Sequence, residues 1–351
     1  MQESFESLLL NFITYYLKEE STNQIIKYRI DNLNLSFYKI YFLKIFESIS
    51  AFHPHKKTIV TIGTFDGVHI GHQKIIERLI TNAKKSDCES LILTFFPHPR
   101  MVLQDEAEIK LLNTITERAT LLEKSGLDNL IIHPFDKEFS RLSAEEFVKN
   151  VLVDQFNIKK IVIGHDHRFG RNRTANIDDL IAFGIEYNFE VEQISVQEIK
   201  DAAVSSTKIR NALEESNINL ANIFLGYNYF LTGVVQKGKQ LGRTIGFPTA
   251  NLKIPENYKL IPKKGVYVVQ STLKNKKIFG MMNIGFNPTV GGEALSIEVH
   301  FLDFNDDLYD KEIQISLLKF LRPETKFDSI SSLKNQLEKD KEATQLYIKD
   351  L

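Results

Sequence analysis

Cysteine is almost missing from this chain of 351 residues: Cys88 is the only one. One thiol cannot close an internal disulfide or build a cysteine-rich zinc site. A reducing, cytoplasmic setting is the expectation. Net charge is nearly missing too. Forty-four basic and 45 acidic residues leave a formal −1. Bulk attraction to a polyanion has no footing there, so nucleic acid is not an expected partner. Long apolar runs are absent. No stretch approaches the roughly 18–20 apolar residues of a membrane span. The most apolar early stretch, residues 8–17, is broken by Asn11 and Thr14 and follows Glu3 and Glu6. An export leader would carry positive charge at that point, so a soluble chain without membrane contact is expected. There is no internal repeat and no low-complexity tract.

The length suits two domains, or three at most. Over residues 58–216 short apolar runs (58–63, 90–95, 129–133, 160–164, 190–194) alternate with amphipathic stretches near 71–85, 116–125, 143–156, 176–187 and 205–216. Strands alternating with helices predict an α/β, doubly wound parallel sheet. Such sheets bind ligands at the carboxyl ends of their strands. The unusual residues fall there: Gly63-Thr64-Phe65-Asp66-Gly67 after the first run, Pro97-His98-Pro99-Arg100 after the second, Gly164 to Gly170 after the fourth. From about Leu225 the rhythm becomes β-like, in runs 230–235, 265–272, 277–282, 296–301 and 313–318 with Gly and Pro between them. A small β-barrel or sandwich is expected. Ile330, Leu333, Leu337 and Leu346 then sit at helical spacing and predict a closing helix. The boundary falls near 217–225. This gives an extension of residues 1–42, a first domain of 43–220 and a second of 221–351.

The strongest local signal is Gly63-Thr-Phe-Asp66-Gly67-Val-His69-Ile-Gly71-His72. A strand ends, a glycine-bearing loop turns, and a helix starts. Helix N-termini present unpaired N–H groups and partial positive charge, which suit phosphate. Residues three apart share a helix face, so His69 and His72 can both donate to charge developing on a phosphoryl group. In the second half, residues 238–251 are glycine-rich but lack the spacing of a Walker A loop. On their own they read as a turn leading into a strand. Ser205-Ser206-Thr207 alone reads as an ordinary helix N-cap. Glu298 alone reads as a polar-face strand residue.

Taken together, these motifs carry a resemblance. Gly63-x-Phe65-Asp66-Gly67-x-His69-x-Gly71-His72 resembles the His-x-Gly-His signature of the nucleotidyltransferases. Its wording is similar to the adenylyltransferase half of the bifunctional riboflavin kinase/FMN adenylyltransferases, the bacterial FAD synthetases. Pro97-His98-Pro99, Gly164-x-Asp166-x-x-Phe169-Gly170 and Val204-Ser205-Ser206-Thr207-Lys208-Ile209-Arg210 match further. Gly246-Phe247-Pro248-Thr249-Ala250-Asn251 resembles the riboflavin kinase signature, and Glu298-x-His300-x-x-Asp303 its later strand. The resemblance implies a nucleotidyltransferase-like Rossmann domain followed by a kinase barrel with a C-terminal helix.

It also implies site residues. His69, His72 and Arg210 would be catalytic in adenylyl transfer. Gly63, Phe65, Asp66, Gly67, Gly71, Ser205, Ser206 and Thr207 would join them around that ATP, with FMN at Pro97, His98 and Asp166. In the kinase, Gly238, Gly242, Gly246, Pro248, Thr249 and Asn251 would hold ATP. Thr249 and Asn251 would organise Mg2+, Glu298 would be the general base, and Arg322 would touch the flavin. The reactions implied are phosphorylation of riboflavin by ATP to FMN and ADP, then adenylylation of FMN by ATP to FAD and pyrophosphate. No obligate protein partner is expected. The alternatives are another nucleotidyltransferase substrate, which leaves the second half unexplained, or a flavin-binding module without chemistry.

Three departures from the family pattern stand out. His165 and His167 replace more usual aromatics, Asn228 replaces a frequent Pro, and Asp310 replaces a turn Gly whose backbone conformation Asp tolerates. Residues 1–42 have no counterpart in that pattern and are aromatic-rich. They read as a docking helix or, preferably, as sequence upstream of a family-like start at Leu43.

Overall fold

In the computed structural model, residues 43–104, 109–164, 168–195, 204–238, 241–289 and 292–351 are described. The extension and Asp166, His165 and His167 lie outside them. The chain forms two compact units. One contains the described residues within 1–65, 73–107 and 119–200; the other contains 66–72, the described part of 108–118, and those within 201–351.

The first unit holds a six-stranded parallel sheet. Its strands are β1 (Lys44–Phe46), β2 (Thr58–Ile62), β3 (Glu89–Phe95), β4 (Asn129–His133), β5 (Ile158–Gly164) and β6 (Glu190–Ile194), in the order β1-β4-β3-β2-β5-β6. The central strands are apolar on both faces, as burial between helix layers requires: Ile59, Val60, Leu91, Ile92, Leu93 and Ile131 are all buried. The core on one face gathers Val60, Leu91, Leu93, Ile161 and Ile163 with Phe147, Leu152 and Phe156. The expected runs reappear as strands. The expectation that 58–63 opens the sheet is corrected by β1, which pairs in parallel with β4. Three residues are too few for a periodic signal, and only Phe46 of β1 is buried.

The helices follow their caps. Helix α1 (Ile70–Lys85) buries Ile76, Leu79, Ile80 and Ala83, and its last turn carries Lys84 and Lys85, favourable at the negative end of the dipole. Helix α2 (Pro99–Leu103) and helix α3 (Ile115–Glu123) follow. Ser143 and Glu146 form a capping box for α4 (Ala144–Glu146), which continues as a π-helical stretch over Phe147–Gln155. Asn176 and Asp179 form another for α5 (Ile177–Tyr187).

The second unit holds a closed antiparallel barrel. Its strands are β7 (Phe230–Gln236), β8 (Ala250–Lys253), β9 (Gly265–Leu273), β10 (Lys276–Thr289), β11 (Gly292–Phe301) and β12 (Glu312–Arg322), in the order β10-β11-β8-β7-β12-β9. Inward residues recur with period two, for example Tyr267 and Val269, Met282 and Ile284, Ile297 and Val299, Ile315 and Leu317. Helices α6 (Ser206–Glu214) and α7 (Ile218–Leu225) bury Ile209, Leu213, Ile218 and Leu225 in the same cluster. Strands β10 and β11 extend past their expected ends. Beyond Ile284, β10 pairs only with β11, and an edge position tolerates Pro288. Asp310 takes φ +61°, the left-handed conformation expected of it.

Between β7 and β8 lies the short helix α8 (Leu241–Thr244), and the closing helix is α9 (Ile330–Lys349). Its inward face is not the expected one. Leu337 packs against the Phe247–Val266–Met281 cluster, but Ile330 and Leu346 are exposed. The buried positions are Asp340 and Thr344, because Arg322 reaches α9 and supplies the carboxylate's partner.

Candidate functional site

Gly63 extends the β2–β3 ladder by one bond, donating to the Leu93 carbonyl (3.1 Å). The chain then turns through three left-handed residues: Phe65 (φ +46°), Gly67 (+88°) and Val68 (+36°). Such conformations at a phenylalanine and a β-branched valine cost on the order of 1–3 kcal/mol each and concentrate at functional sites. A Cβ on Gly67 would lie 2.6 Å from the Leu112 side chain, so glycine is required there for space as well as for φ.

The turn delivers His69 one residue before α1. Its Nδ1 accepts from the His72 N–H (3.3 Å), so the imidazole itself caps the helix. The two rings stack at 3.7 Å between centroids. Burial lowers the His69 pKa to about 4. Burial, together with neighbouring His69 and Arg118, holds that of His72 well below the usual imidazole range. Both imidazoles are therefore neutral at physiological pH. With Nδ1 accepting, His69 carries its proton on Nε2 and offers a neutral N–H donor.

Asp66 is buried, and its carboxylate gathers the surrounding segments. It accepts from Leu112 N (2.9 and 3.1 Å), Asn113 N (3.3 Å), Arg118 Nη2 (3.5 Å) and Arg210 Nη2 (2.5 Å). Arg210 also donates through Nε to the Lys110 carbonyl (2.9 Å). The Ser206 hydroxyl donates to the Asp66 carbonyl (2.8 Å), and Tyr227 donates to the Gly67 carbonyl (2.7 Å). Ser205 caps α6 by accepting from Lys208 N (3.3 Å), and Thr207 is exposed on its first turn. The two expected nucleotide motifs thus meet at Asp66, to which Ser206 and Arg210 both donate.

In the sheet unit, Pro97 is exposed just past the carboxyl end of β3. His98 caps α2, its Nδ1 accepting from Arg100 N (3.1 Å).

In the barrel, Thr249 precedes β8 and Asn251 lies on it. Asn251 is in register with Glu298 of β11. The Thr249 hydroxyl donates to Glu298 Oε2 (3.2 Å). Gly238 packs against the Asn251 amide so closely that no side chain fits between them. Phe247 is buried, and Phe247 N donates to the Gly242 carbonyl (2.8 Å). Gly246 turns the loop at φ +88°, and Pro248 is exposed with its carbonyl 2.8 Å from His300 Nδ1. A cavity of about 500 Å³ opens beside this region, with Asn251, Lys253 and Ser296 in its wall. Among the described residues no cluster of three or more His, Cys, Asp or Glu could hold a metal ion. Asp303 is exposed in the turn after β11.

Two family models match this chain: FAD synthetase over residues 51–208 and riboflavin kinase over residues 225–348. A Listeria monocytogenes bifunctional riboflavin kinase/FMN adenylyltransferase is 38% identical, over 84% of this chain and 93% of that protein. The Escherichia coli K12 protein of the same name is 36% identical, over 82% and 91%. The chain belongs to the bifunctional riboflavin kinase/FMN adenylyltransferase family. A solved Streptococcus pneumoniae chain named as a macrolide-efflux protein superposes with a TM-score of 0.78 at 31% identity, covering 86% of this chain and 98% of that one. Among the described residues no helix is long and apolar enough to cross a membrane.

Two residues expected at ligands, Asp66 and Arg322, have internal partners in the structure. Asp66, expected at the nucleotide, is 1% exposed and surrounded by internal donors. Arg322, expected at the flavin, gives Nε (2.9 Å) and Nη2 (2.8 Å) to the Asp340 carboxylate and Nη1 to the Pro323 carbonyl (3.1 Å). Sequence reading missed Glu117, Arg118, Tyr227 and Lys259. Thr114-x-x-Glu117 is legible as a capping box, and the structure forms it: Glu117 N donates to Thr114 Oγ1 (3.1 Å) and Thr114 N to Glu117 Oε2 (2.9 Å).

Proposed function

We propose that the chain makes FAD from riboflavin in two steps, with residues 221–351 acting as kinase and residues 43–220 as adenylyltransferase. The family supports both activities and the use of ATP in each. The observation that carries the kinase assignment is the Thr249–Glu298 hydrogen bond beside the Glu298–Asn251 register pair. In the first step the ribityl 5′-oxygen attacks the γ-phosphorus of ATP. Its proton passes to Glu298 and ADP leaves. The hydroxyl of Thr249, the amide oxygen of Asn251 and the Glu298 carboxylate are hard oxygen donors of the kind Mg2+ accepts alongside nucleotide phosphates. Bound there, Mg2+ would neutralise charge developing on the transferred phosphoryl group.

In the second step a phosphate oxygen of FMN attacks the α-phosphorus of a second ATP, and pyrophosphate leaves. That oxygen is already anionic, so no strong base is required. Neutral His69 and His72, with Ser206 and Arg210 nearby, suit stabilisation of the transferring group. Pro97 and His98, at the carboxyl end of β3, are proposed to meet FMN. The setting proposed is cytoplasmic, with these small molecules as the partners. Purified protein given riboflavin and Mg-ATP should yield FMN and then FAD on a chromatographic time course. Absence of both products would refute the assignment. FMN without FAD would refute its second half.

A further inference from the structure

The residue that stands out from everything above is Lys259, a fully buried ammonium in the kinase half of the sequence. Its Nζ donates to Glu117 Oε2 (2.6 Å), to the Leu112 carbonyl (2.7 Å) and to the Phe230 carbonyl (2.9 Å), and it lies 4.6 Å from the centre of the Tyr229 ring. Glu117 is buried as well, and its other oxygen accepts from Thr232 N (3.0 Å). Burial lowers the Lys259 pKa, and Glu117 opposes that shift. A charge pair kept this dry contributes little net stability against an apolar pair of the same shape. Its value is geometric.

The geometry leads to the other reaction. Leu112 is bound from both sides: its N–H goes to Asp66, its carbonyl to Lys259. One residue earlier, Leu111 N donates to the Tyr258 carbonyl and Leu260 N to the Leu111 carbonyl, both at 2.7 Å. Lys110 offers its carbonyl to Arg210. Residues 110–114 are thus a strip with the His69/His72 turn and Arg210 on one side and barrel residues 258–260 on the other. All of these residues belong to one compact unit.

We infer that Lys259 is a positioning residue for FMN adenylylation: with Glu117 it holds the strip on which Asp66 seats the His69/His72 turn and Arg210. The inference rests on the functional reading above. Its reach is set by how sensitive catalysis is to placement, since a displacement of about 1 Å can cost about 10²-fold in rate.

The test uses the full chain and a double variant, Glu117→Gln with Lys259→Met, which removes both charges and so leaves no unpaired buried charge. Riboflavin phosphorylation in the same preparation gauges whether the barrel is folded. The expected result is a fall of about 10²-fold in kcat for FAD formation from supplied FMN, with KM for FMN and the phosphorylation rate each within about threefold of the parent. Parallel loss of both activities, or misfolding, is what a merely structural pair would give and overturns the inference. So does FAD formation within about threefold of the parent. A parent protein that makes neither FMN nor FAD would instead refute the functional reading.

Discussion

Asp66→Asn separates an internal anchor from a nucleotide ligand. The side chain keeps its shape but loses its charge and one acceptor. Asp66 accepts from Leu112, Asn113, Arg118 and Arg210 at 2.5–3.5 Å. In the variant one amide oxygen remains, and an N–H₂ group faces donors it cannot pair with. Arg118, only 2% exposed at its side chain, loses its carboxylate partner. Removing one member of a buried ion pair costs about 3–5 kcal/mol. At about 2–4 °C per kcal/mol for a body of this size, the melting temperature should fall by about 6–20 °C. Calorimetry or circular dichroism reads the shift, and the two activities are assayed well below it. FAD formation should fall with the loss of Arg210 and turn placement. A variant that melts within about 2 °C of the parent and shows only a raised KM for ATP would refute the anchor and restore Asp66 as a ligand.

His72→Ala should cut FAD formation by about 10²–10³-fold while leaving riboflavin phosphorylation intact, since one preorganised donor is lost in one site only. Equal loss of both activities would undo the two-site assignment. Glu298→Gln should lower riboflavin phosphorylation by about 10²–10⁴-fold and spare FAD synthesis from supplied FMN. A near-parental rate would remove Glu298 as the base. Acid should expose His69. Its folded pKa is about 4 against an ordinary 6.5, so between those values the unfolded chain binds the extra proton and stability falls as pH falls. At about 1.36 kcal/mol per pH unit, this one group withdraws about 3 kcal/mol by pH 4. Urea midpoints of the parent and of His69→Gln at pH 7, 5.5 and 4.5 should converge or cross; a constant gap would contradict the buried, neutral imidazole.

What the sequence made legible was local. Five apolar runs and their helices marked the sheet because its central strands are buried on both faces, and the glycine-bearing turn after β2 stood out by its residue types. The Thr249–Asn251–Glu298 grouping was legible only through family resemblance. Its members lie 49 residues apart at the extremes and meet through β8–β11 register, which no local pattern encodes. Arg322 and Asp66 were read as facing a ligand because each is a charged residue in a motif, and no local pattern showed their internal partners, Asp340 for the one and Arg118 with Arg210 for the other. The face of α9 was misassigned because apolar spacing was followed, whereas a paired Asp340 is what the barrel buries. Lys259 could not be found at all, since its partner Glu117 is 142 residues away.

The buried charges also constrain how the barrel unit can form. Asp66, Glu117, Arg118 and Lys259 are almost wholly out of water, and they come from three separate stretches of chain within one compact unit. Each alone would be penalised by several kcal/mol on burial, so none can reach its native surroundings before its partners do. Residues 110–114 must therefore join the barrel segment 258–260 in the same cooperative event that seats Asp66. Native-state hydrogen exchange reads this directly. The Leu112 and Asn113 amides, whose acceptor is Asp66, should exchange with the same opening free energy as the barrel amides of β7 and β9. They should shift together with those strands when the barrel is weakened by a distant core change such as Ile315→Val. Ile315 is fully buried within the barrel, and that change typically costs about 0.5–1.5 kcal/mol. Exchange at Leu112 and Asn113 through a cheaper opening, indifferent to Ile315→Val, would mean that the catalytic turn forms independently of the barrel and that the buried charges do not tie the two together.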